Sequence, residues 1–230
     1  MQDYQHIKHI FFDLDHTLWD FDKNSKFAFA KIFENNFLQI DINDFIKVYV
    51  PINQAVWKLY QKDEITSEQL RYMRLKQSFE AINVEISDVQ IDEIAEEYIK
   101  LLPENNHLFE GTIEILDYLS TKYKLHIITN GFADVQDKKI NNSGIRQYFT
   151  TITNSENAQA KKPNPIIYNY ALNVANADKN NSVMIGDCLD ADINGALNFG
   201  IDAVFVNHHY VAIEENIKQI NHLSALKNMF

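Results

Sequence analysis

Residues 7–18 read Ile-Lys-His-Ile-Phe-Phe-Asp-Leu-Asp-His-Thr-Leu, an apolar run that ends in a group of polar side chains. The apolar residues 10–12 predict the end of a buried strand. Asp13, Asp15 and Thr17 follow at alternate positions, and alternate side chains of an extended backbone point the same way. We therefore expect two carboxylates and a hydroxyl at the C-terminal end of a strand, where ligands bind in open α/β sheets.

The closeness of Asp13 and Asp15 indicates a bound cation. Two neighbouring carboxylates repel each other unless a cation or a shared proton relieves them, and Mg²⁺ is a hard cation that prefers oxygen ligands. The alternative is a strand that runs into an ordinary turn, because Asp and Thr are common turn residues. The rest of the chain decides between these interpretations.

Composition narrows the class of protein. The chain has 230 residues, 46% of them hydrophobic, which suits one large domain or a core with a smaller second domain. A net charge of −11 argues against a nucleic acid polymer or an anionic membrane as partner, and requires any phosphate site to be made locally positive.

The sequence also predicts a cytoplasmic location. Cys188 is the only cysteine, so no internal disulfide is possible, which fits a reducing compartment. Residues 1–6 lack the basic region and apolar run of a signal peptide. No apolar run in the sequence approaches the length of a membrane span.

The order of predicted elements indicates an α/β protein with a helical insertion. Residues 22–102 show helical periodicity, with Phe29, Phe33 and Phe37 four residues apart and Pro51 placed between two helices. Beyond them the predicted helices are 111–123, 133–142, 164–175 and 191–199, and the predicted strands are 125–128, 149–153, 183–185 and 203–206. Alternating strands and helices predict a doubly wound parallel sheet. We expect a catalytic core of residues 1–19 and 106–230 and an all-helical cap of residues 20–105.

Polar side chains follow four of the predicted strands. They are Asp13 and Asp15 after the first, Thr129 and Asn130 after the second, Lys161 and Lys162 beyond the third, and Asp187 after the fourth, with Asp192 in the next helix. The C-terminal ends of parallel strands lie at one edge of the sheet. We therefore expect acids, a hydroxyl, an amide and a lysine to converge there.

Such a group of residues suits phosphoryl transfer. The carboxylates of Asp13 and Asp187 can hold Mg²⁺, and Lys162 adds a second positive charge. The Thr129 hydroxyl and the Asn130 amide can hold phosphoryl oxygens. Asp13 can attack phosphorus to form an aspartyl phosphate. As the acid and base, Asp15 can protonate the leaving oxygen and then activate water.

Taken together, four motifs resemble those of the haloacid dehalogenase superfamily. They are Asp13-Leu-Asp15-His-Thr17, Thr129-Asn130-Gly131, Lys162-Pro163, and Gly186-Asp187 with Asp192. The resemblance implies a Rossmann-like core, a helical cap inserted after the first motif, Asp13 as nucleophile and Mg²⁺ as cofactor. It further implies that Asp15 is the acid/base and gives its backbone carbonyl to the metal, that Thr129 and Lys162 hold the phosphate, that Asp187 binds Mg²⁺, and that Asp192 supports the metal shell.

A narrower resemblance concerns the substrate. The runs 12–21, 57–66 and 128–132 resemble the branch that includes bacterial pyrimidine 5′-nucleotidases. This resemblance implies a small phosphomonoester substrate, namely deoxyuridine or thymidine monophosphate or a damaged analogue. One departure is Gln159-Ala160, where relatives often have a glycine before the lysine, and Lys161 is a second candidate beside Lys162.

Competing functions remain at this point. The first interpretation is a Mg²⁺-dependent nucleoside 5′-monophosphate phosphatase, and the second is a phosphatase for a sugar phosphate or phosphoglycolate. A phosphomutase is less favoured. A phospho-accepting signalling module is opposed by Asp15, because a stable aspartyl phosphate needs no acid/base. We expect Trp19, Phe21, Trp57 and Tyr60 to be either stacking surfaces for a base or packed side chains.

Overall fold

The computed structural model describes residues 4–213 and 216–230. The chain divides into two compact units. One contains the residues up to Asp20 together with those from His107 onward, and the other is Phe21–Asn106. Both ends of this second unit lie one residue further along the chain than the ends predicted for the cap, 20–105.

The first unit is built on a six-stranded sheet in which every neighbouring pair is parallel. Its strands are β1 (His9–Phe12), β2 (Lys124–Thr129), β3 (Phe149–Asn154), β4 (Ser182–Gly186), β5 (Asp202–Val206) and β6 (Gln219–Ile220). The order across the sheet is β3-β2-β1-β4-β5-β6. The predicted doubly wound α/β fold is confirmed, and only the two-residue β6 was absent from the prediction.

Helices connect these strands in the first unit. They are α5 (Thr112–Ser120), α6 (Ala133–Asn142), α7 (Ser155–Ala158), α8 (Pro165–Ala175) and α9 (Gly195–Phe199), numbered after the four helices of the other unit. The predicted bounds of α6 are confirmed. The buried face of α5 runs through Thr112, Ile115, Leu116 and Leu119, and Ile113 on the other side is 41% exposed.

The second unit contains helices alone among its regular elements. They are α1 (Phe21–Asn35), α2 (Ile42–Gln61), α3 (Ser67–Ala81) and α4 (Asp88–Leu101), followed by a short 3₁₀ turn at Leu102–Glu104. Thr66 caps the start of α3 and Ser87 caps the start of α4, each in a capping box with the glutamine three residues later.

Two predictions for the helical unit are wrong. Pro51 lies inside α2 rather than between two helices. Phe37 is 87% exposed, because α1 ends at Asn35 and Phe37 follows in a turn with φ of 54°. The core of this unit is aromatic, and its packed rings are Phe29, Phe33, Phe45, Tyr49, Phe79 and Tyr98.

Within the described residues, no helix is both long enough and apolar enough to cross a lipid bilayer.

Candidate active site

The register of the sheet brings three polar strand ends together. Phe12, the last residue of β1, pairs with Ile127 of β2 and with Ile185 of β4. The next residue, Asp13, is buried, and its backbone N–H donates to the carbonyl of Ile185 at 2.9 Å. Asp13, Thr129 and Asp187 are therefore neighbours in space because their strands end at the same edge of the sheet.

Lys162 links two of the predicted acids. Its Nζ lies 2.5 Å from Oδ1 of Asp13 and 2.7 Å from Oδ1 of Asp192, and its side chain is 2% exposed. A third bond goes to the carbonyl of Ile128 at 2.7 Å. An ammonium group has three N–H donors, so all three are used. Between the two candidate lysines, the structure places Lys162, and not Lys161, beside Asp13.

Asn130 holds the lysine loop in place. Its Nδ2 donates to the carbonyl of Lys162 at 2.9 Å, and its Oδ1 accepts from the backbone N–H of Lys162 at 2.7 Å. Its oxygen and one of its N–H groups are committed to the backbone that carries Lys162, and we assign it to positioning that lysine. A contact of the remaining N–H of Asn130 with a phosphoryl oxygen stays a prediction.

The lysine loop forms its turn although Gln159-Ala160 stands where relatives often have a glycine. Gln159 follows α7 with φ of 52° and ψ of 31°, a left-handed conformation that glycine adopts readily. A non-glycine residue in this region carries a cost of about 1 kcal/mol or more. The backbone therefore makes the turn that a glycine would make, despite the side chain at Gln159.

A π-helical turn presents Asp192. The segment Leu189–Asn194 replaces the regular helix predicted to begin at 191, and Ile193 N–H reaches back to the carbonyl of Cys188 at 3.3 Å. Oδ2 of Asp192 accepts from Cys188 N–H at 3.0 Å while Oδ1 contacts Lys162. A Cβ at Gly186 would lie 2.3 Å from Oδ2 of Asp192, so only glycine leaves room for this carboxylate.

Asp187 and Thr17 complete the acidic side of the site. The Thr17 hydroxyl donates to Oδ1 of Asp187 at 3.0 Å. Thr17 reaches this position through a turn rather than an extended strand, since His16 before it has φ of 61°. The predicted meeting of Thr17 with the acids is therefore found, by a different backbone path.

The carboxylates of Asp13, Asp187 and Asp192 carry more negative charge than the ammonium of Lys162 can neutralise. Burial raises the pKa of Asp13 to about 7, with Lys162 opposing the rise and Asp192 adding to it. Burial and the charges of Asp13 and Asp192 likewise raise the pKa of Asp187 well above its ordinary value. Burial alone would lower the pKa of Lys162, but the two adjacent carboxylates outweigh it and raise that pKa.

The donor set fits a hard divalent cation. Asp13, Asp187 and Asp192 each offer a carboxylate oxygen, and these oxygens lie within 4.8 Å of one another. Hard cations prefer such all-oxygen sites, and a cation would offset the excess negative charge. Because both oxygens of Asp192 already accept hydrogen bonds, we assign Asp13 and Asp187 as the direct ligands and Asp192 to a supporting position. A contribution from the backbone carbonyl of Asp15 stays a prediction.

Asp15 points to a different set of side chains. Its Oδ1 lies 2.6 Å from Nζ of Lys139, and its Oδ2 lies 2.9 Å from Nε2 of Gln136. The same Nε2 lies 2.6 Å from Oγ1 of Thr129. Lys139 and Gln136 were absent from the predicted site. The available signal was the position of a lysine and a glutamine on the face of α6 that also carries the buried Val135 and Ile140.

The aromatic residues considered as stacking surfaces for a base differ in their exposure to solvent. Trp19 is fully buried, and Nζ of Lys139 lies 4.3 Å from its ring centroid, so Trp19 is a packed side chain in this structure. Phe21 is 6% exposed. Trp57 and Tyr60 are both partly exposed on α2, with ring centroids 5.5 Å apart in an edge-to-face arrangement. They remain the two candidates for contact with a ligand.

The fold and the site define a class of hydrolase. The family model for haloacid dehalogenase-like hydrolases matches residues 10–206, and the chain belongs to that family. This confirms the superfamily resemblance drawn from the four motifs, and it identifies the protein as an enzyme.

Individual relatives narrow the comparison. The chain is 32% identical to pyrimidine 5′-nucleotidase YjjG of Escherichia coli over 221 residues, which cover 96% of this chain and 95% of that protein. It is also 32% identical to pyrimidine 5′-nucleotidase PynA of Streptococcus pneumoniae, covering 89% and 85% of the two chains. The crystal structure of the HAD-hydrolase YfnB of Bacillus subtilis, bound to magnesium, matches with a TM-score of 0.87 at 25% identity, covering 97% of this chain and 98% of that one.

Proposed function

We propose that the protein is a Mg²⁺-dependent phosphomonoester hydrolase that works through an aspartyl phosphate, and that its substrates are pyrimidine nucleoside 5′-monophosphates. The observation that carries the phosphatase proposal is the buried contact between Asp13 and Lys162, at 2.5 Å, beside the carboxylates of Asp187 and Asp192. The substrate class rests on the two nucleotidase relatives.

In the first step, a carboxylate oxygen of Asp13 attacks phosphorus, and the bond from phosphorus to the ester oxygen breaks. Asp15 gives its proton to the leaving oxygen, so the alcohol departs neutral. The Thr129 oxygen already accepts from Gly131 N–H at 3.1 Å and from Gln136, which leaves its own hydrogen to donate to a phosphoryl oxygen. Lys162 offsets the negative charge beside the nucleophile.

In the second step, water attacks phosphorus and the bond to Asp13 breaks. Asp15, now a carboxylate, takes the proton from that water and is ready for the next cycle. The product is inorganic phosphate, and Asp13 is regenerated. A signalling module that only accepts phosphate would have no use for Asp15 in this position.

The oxygen ligands of Asp13 and Asp187 would hold the metal, and a bound Mg²⁺ supplies charge that stabilises the phosphoryl oxygens and aligns the phosphate with the nucleophile. Ca²⁺ should substitute poorly, because it prefers more ligands at longer distances. We therefore expect activity to be lost in excess chelator and restored by Mg²⁺.

Residues 20–105 are proposed as the unit that selects the leaving group. Every candidate substrate shares the phosphate, so selection must depend on groups that contact the remainder of the substrate. Trp57 and Tyr60 are proposed to contact a base, because a base offers a flat apolar face to aromatic side chains. Stacking of one base is worth roughly 1–3 kcal/mol, which corresponds to about tenfold or more in favour of nucleotides over sugar phosphates.

The test is phosphate release from a panel of nucleoside 5′-monophosphates, hexose phosphates, phosphoglycolate and an aryl phosphate. Each substrate is assayed with Mg²⁺, with Ca²⁺ and with chelator, and the Asp13→Asn variant, purified identically, is the control for contaminating phosphatases. We expect the highest kcat/KM for pyrimidine deoxynucleoside 5′-monophosphates. A preference for phosphoglycolate or a hexose phosphate would remove the nucleotidase assignment, and full activity in chelator would remove the metal.

A further inference from the structure

A pair of side chains on one face of α6 contacts the proposed acid/base. Gln136 and Lys139 are one helical turn apart, and such residues share a face. Lys139 has a side chain that is 3% exposed, whereas that of Asp15 is 23% exposed. A lysine is almost never this deeply buried without a charged partner, and the carboxylate of Asp15 is such a partner here.

The two contacts fix both oxygens of Asp15. Oδ1 accepts from Lys139 at 2.6 Å and Oδ2 accepts from Gln136 at 2.9 Å, so the carboxylate cannot rotate without breaking one of them. The indole of Trp19 lies on another side of the Lys139 ammonium, 4.3 Å from ring centroid to Nζ. A cation above an aromatic face is attracted to it, so the ammonium is itself held in place.

Gln136 links this carboxylate to the phosphate-binding hydroxyl. Its Nε2 has two hydrogens, and it lies 2.9 Å from Asp15 and 2.6 Å from Oγ1 of Thr129. One amide group therefore orients the Asp15 carboxylate and also donates a hydrogen bond to the oxygen of the Thr129 hydroxyl. Gly131 leaves room for this amide, because a Cβ at position 131 would lie 2.5 Å from Cδ and from Nε2 of Gln136.

We propose that Gln136 and Lys139 are positioning residues for the reaction, which hold Asp15 where it can protonate the leaving oxygen and then activate water. The inference rests on the proposed function of Asp15. A carboxylate held by two donors loses little freedom at the moment of reaction, and misplacement of a catalytic group by about 1 Å can cost on the order of 10²-fold in rate.

The contribution of Asp15 differs between substrates, and this gives a specific signature. An ester with a good leaving group needs no acid in the first step, so Asp13 should still be phosphorylated when Asp15 is misplaced. The second step needs the base with every substrate, so the phosphoenzyme should then accumulate. A defect in packing alone would slow both steps together.

The experiment compares Lys139→Met and Gln136→Met with Lys138→Met, which removes an exposed lysine from the same helix. Each is assayed by rapid quench with Mg²⁺, once with a nitrophenyl phosphate and once with thymidine 5′-monophosphate. We expect steady-state kcat on the nucleotide to fall about 10²-fold for the first two variants with KM changed less than threefold. With the nitrophenyl ester they should release one equivalent of phenol per enzyme in a burst, followed by slow turnover.

Lys139→Arg keeps the charge and should have a higher kcat than Lys139→Met. It therefore tests the role of the charge even if Lys139→Met folds poorly. The inference is overturned if the Lys139 and Gln136 variants behave like Lys138→Met. It is also overturned if these variants release nitrophenol without a burst and at a rate reduced as much as nucleotide turnover. If the wild-type protein itself forms no phosphoenzyme with either ester, the proposed function fails first, and the positioning role fails with it.

Discussion

The ammonium of Lys162 and the carboxylate of Asp13 are joined by a 2.5 Å contact, and both side chains are buried at the end of the central strands. The contact joins residues 149 positions apart in the chain. It places a cation against the proposed nucleophile and makes the charge of Lys162 essential to the balance of the cluster.

Lys162→Met should abolish turnover and also weaken the fold. It removes the one ammonium that contacts Asp13 and Asp192 and leaves two buried carboxylates to repel each other. Breaking a buried pair in this way typically costs roughly 3–5 kcal/mol. Urea unfolding in chelator at pH 8 measures the loss of unfolding free energy. Lys161→Met, which removes a partly exposed lysine next to it, is the matched control and should have a small effect on both quantities. Equal effects of the two substitutions would reverse our choice between the lysines.

Gly131→Ala should act through Gln136. The new methyl group would lie 2.5 Å from the glutamine side chain and displace it, while the backbone at this position has no positive φ to oppose alanine. We expect kcat to fall to a similar degree in Gly131→Ala and in Gln136→Ala, with little further loss in the double variant, because the two changes remove the same contact. Independent, additive losses would show that the glycine serves another purpose.

His126 should make the fold sensitive to acid. It is fully buried in β2, with Nδ1 2.8 Å from Oγ1 of Thr151 and Nε2 3.0 Å from Nδ1 of His9. Burial, together with the neighbouring His9 and Lys124, lowers the pKa of His126 to about 3 from an ordinary value of 6.5. Between these two values the unfolded chain binds a proton that the folded protein does not.

The contribution of His126 to the free energy of unfolding is therefore complete above pH 6.5. It decreases by about 1.4 kcal/mol per pH unit as the pH falls toward 3. Urea unfolding at pH 7.0, 6.0 and 5.0 measures the slope. His126→Gln, which keeps a polar side chain but does not titrate, should have a flatter profile by about one proton. Parallel profiles for the two proteins would mean that other groups dominate.

Trp57→Ala tests the proposed contact with the base. We expect kcat/KM for a pyrimidine deoxynucleoside 5′-monophosphate to fall about tenfold or more, with little change for a small aryl phosphate. Trp57→Phe should keep most of the activity, and Gln54→Ala on an exposed position of α2 should keep all of it. Equal losses on the nucleotide and the aryl phosphate would show that Trp57 only packs within the helical unit.

The sequence predicts some parts of the site better than others, for physical reasons. Asp13, Thr129 and Asp187 could be predicted because each lies at the C-terminal end of a buried strand, and parallel strands end at one edge of the sheet. The contacts of Asn130 with the backbone of Lys162 could not be predicted, since an amide suits both a phosphate and a backbone, and only the folded lysine loop shows them. Gln136 and Lys139 lie in a helix, 121 and 124 residues from Asp15 in the chain. No local spacing relates them to that residue.

The helical unit shows the same limits. The starts of α3 and α4 are marked in the sequence by the capping boxes of Thr66 and Ser87, because a capping box is a local interaction. Pro51 was misread because the rest of α2 stabilises a helix that accommodates one missing N–H group. Phe37 has the spacing of a buried residue, but the helix has already ended before it, and periodicity does not reveal that boundary.

Asp13 is proposed to carry the phosphoryl group between the two steps, and this intermediate can be trapped chemically. The Asp15→Asn variant is mixed with a nitrophenyl phosphate and Mg²⁺, quenched in acid and treated with sodium borohydride, which reduces an acyl phosphate to an alcohol. The peptides are then analysed by mass spectrometry, with Asp13→Asn treated in parallel as the control. We expect reduction at position 13 in the first variant and none in the control. A burst of nitrophenol from the Asp15→Asn variant with no reducible group at Asp13, or with one at another residue, would show that Asp13 is not the nucleophile.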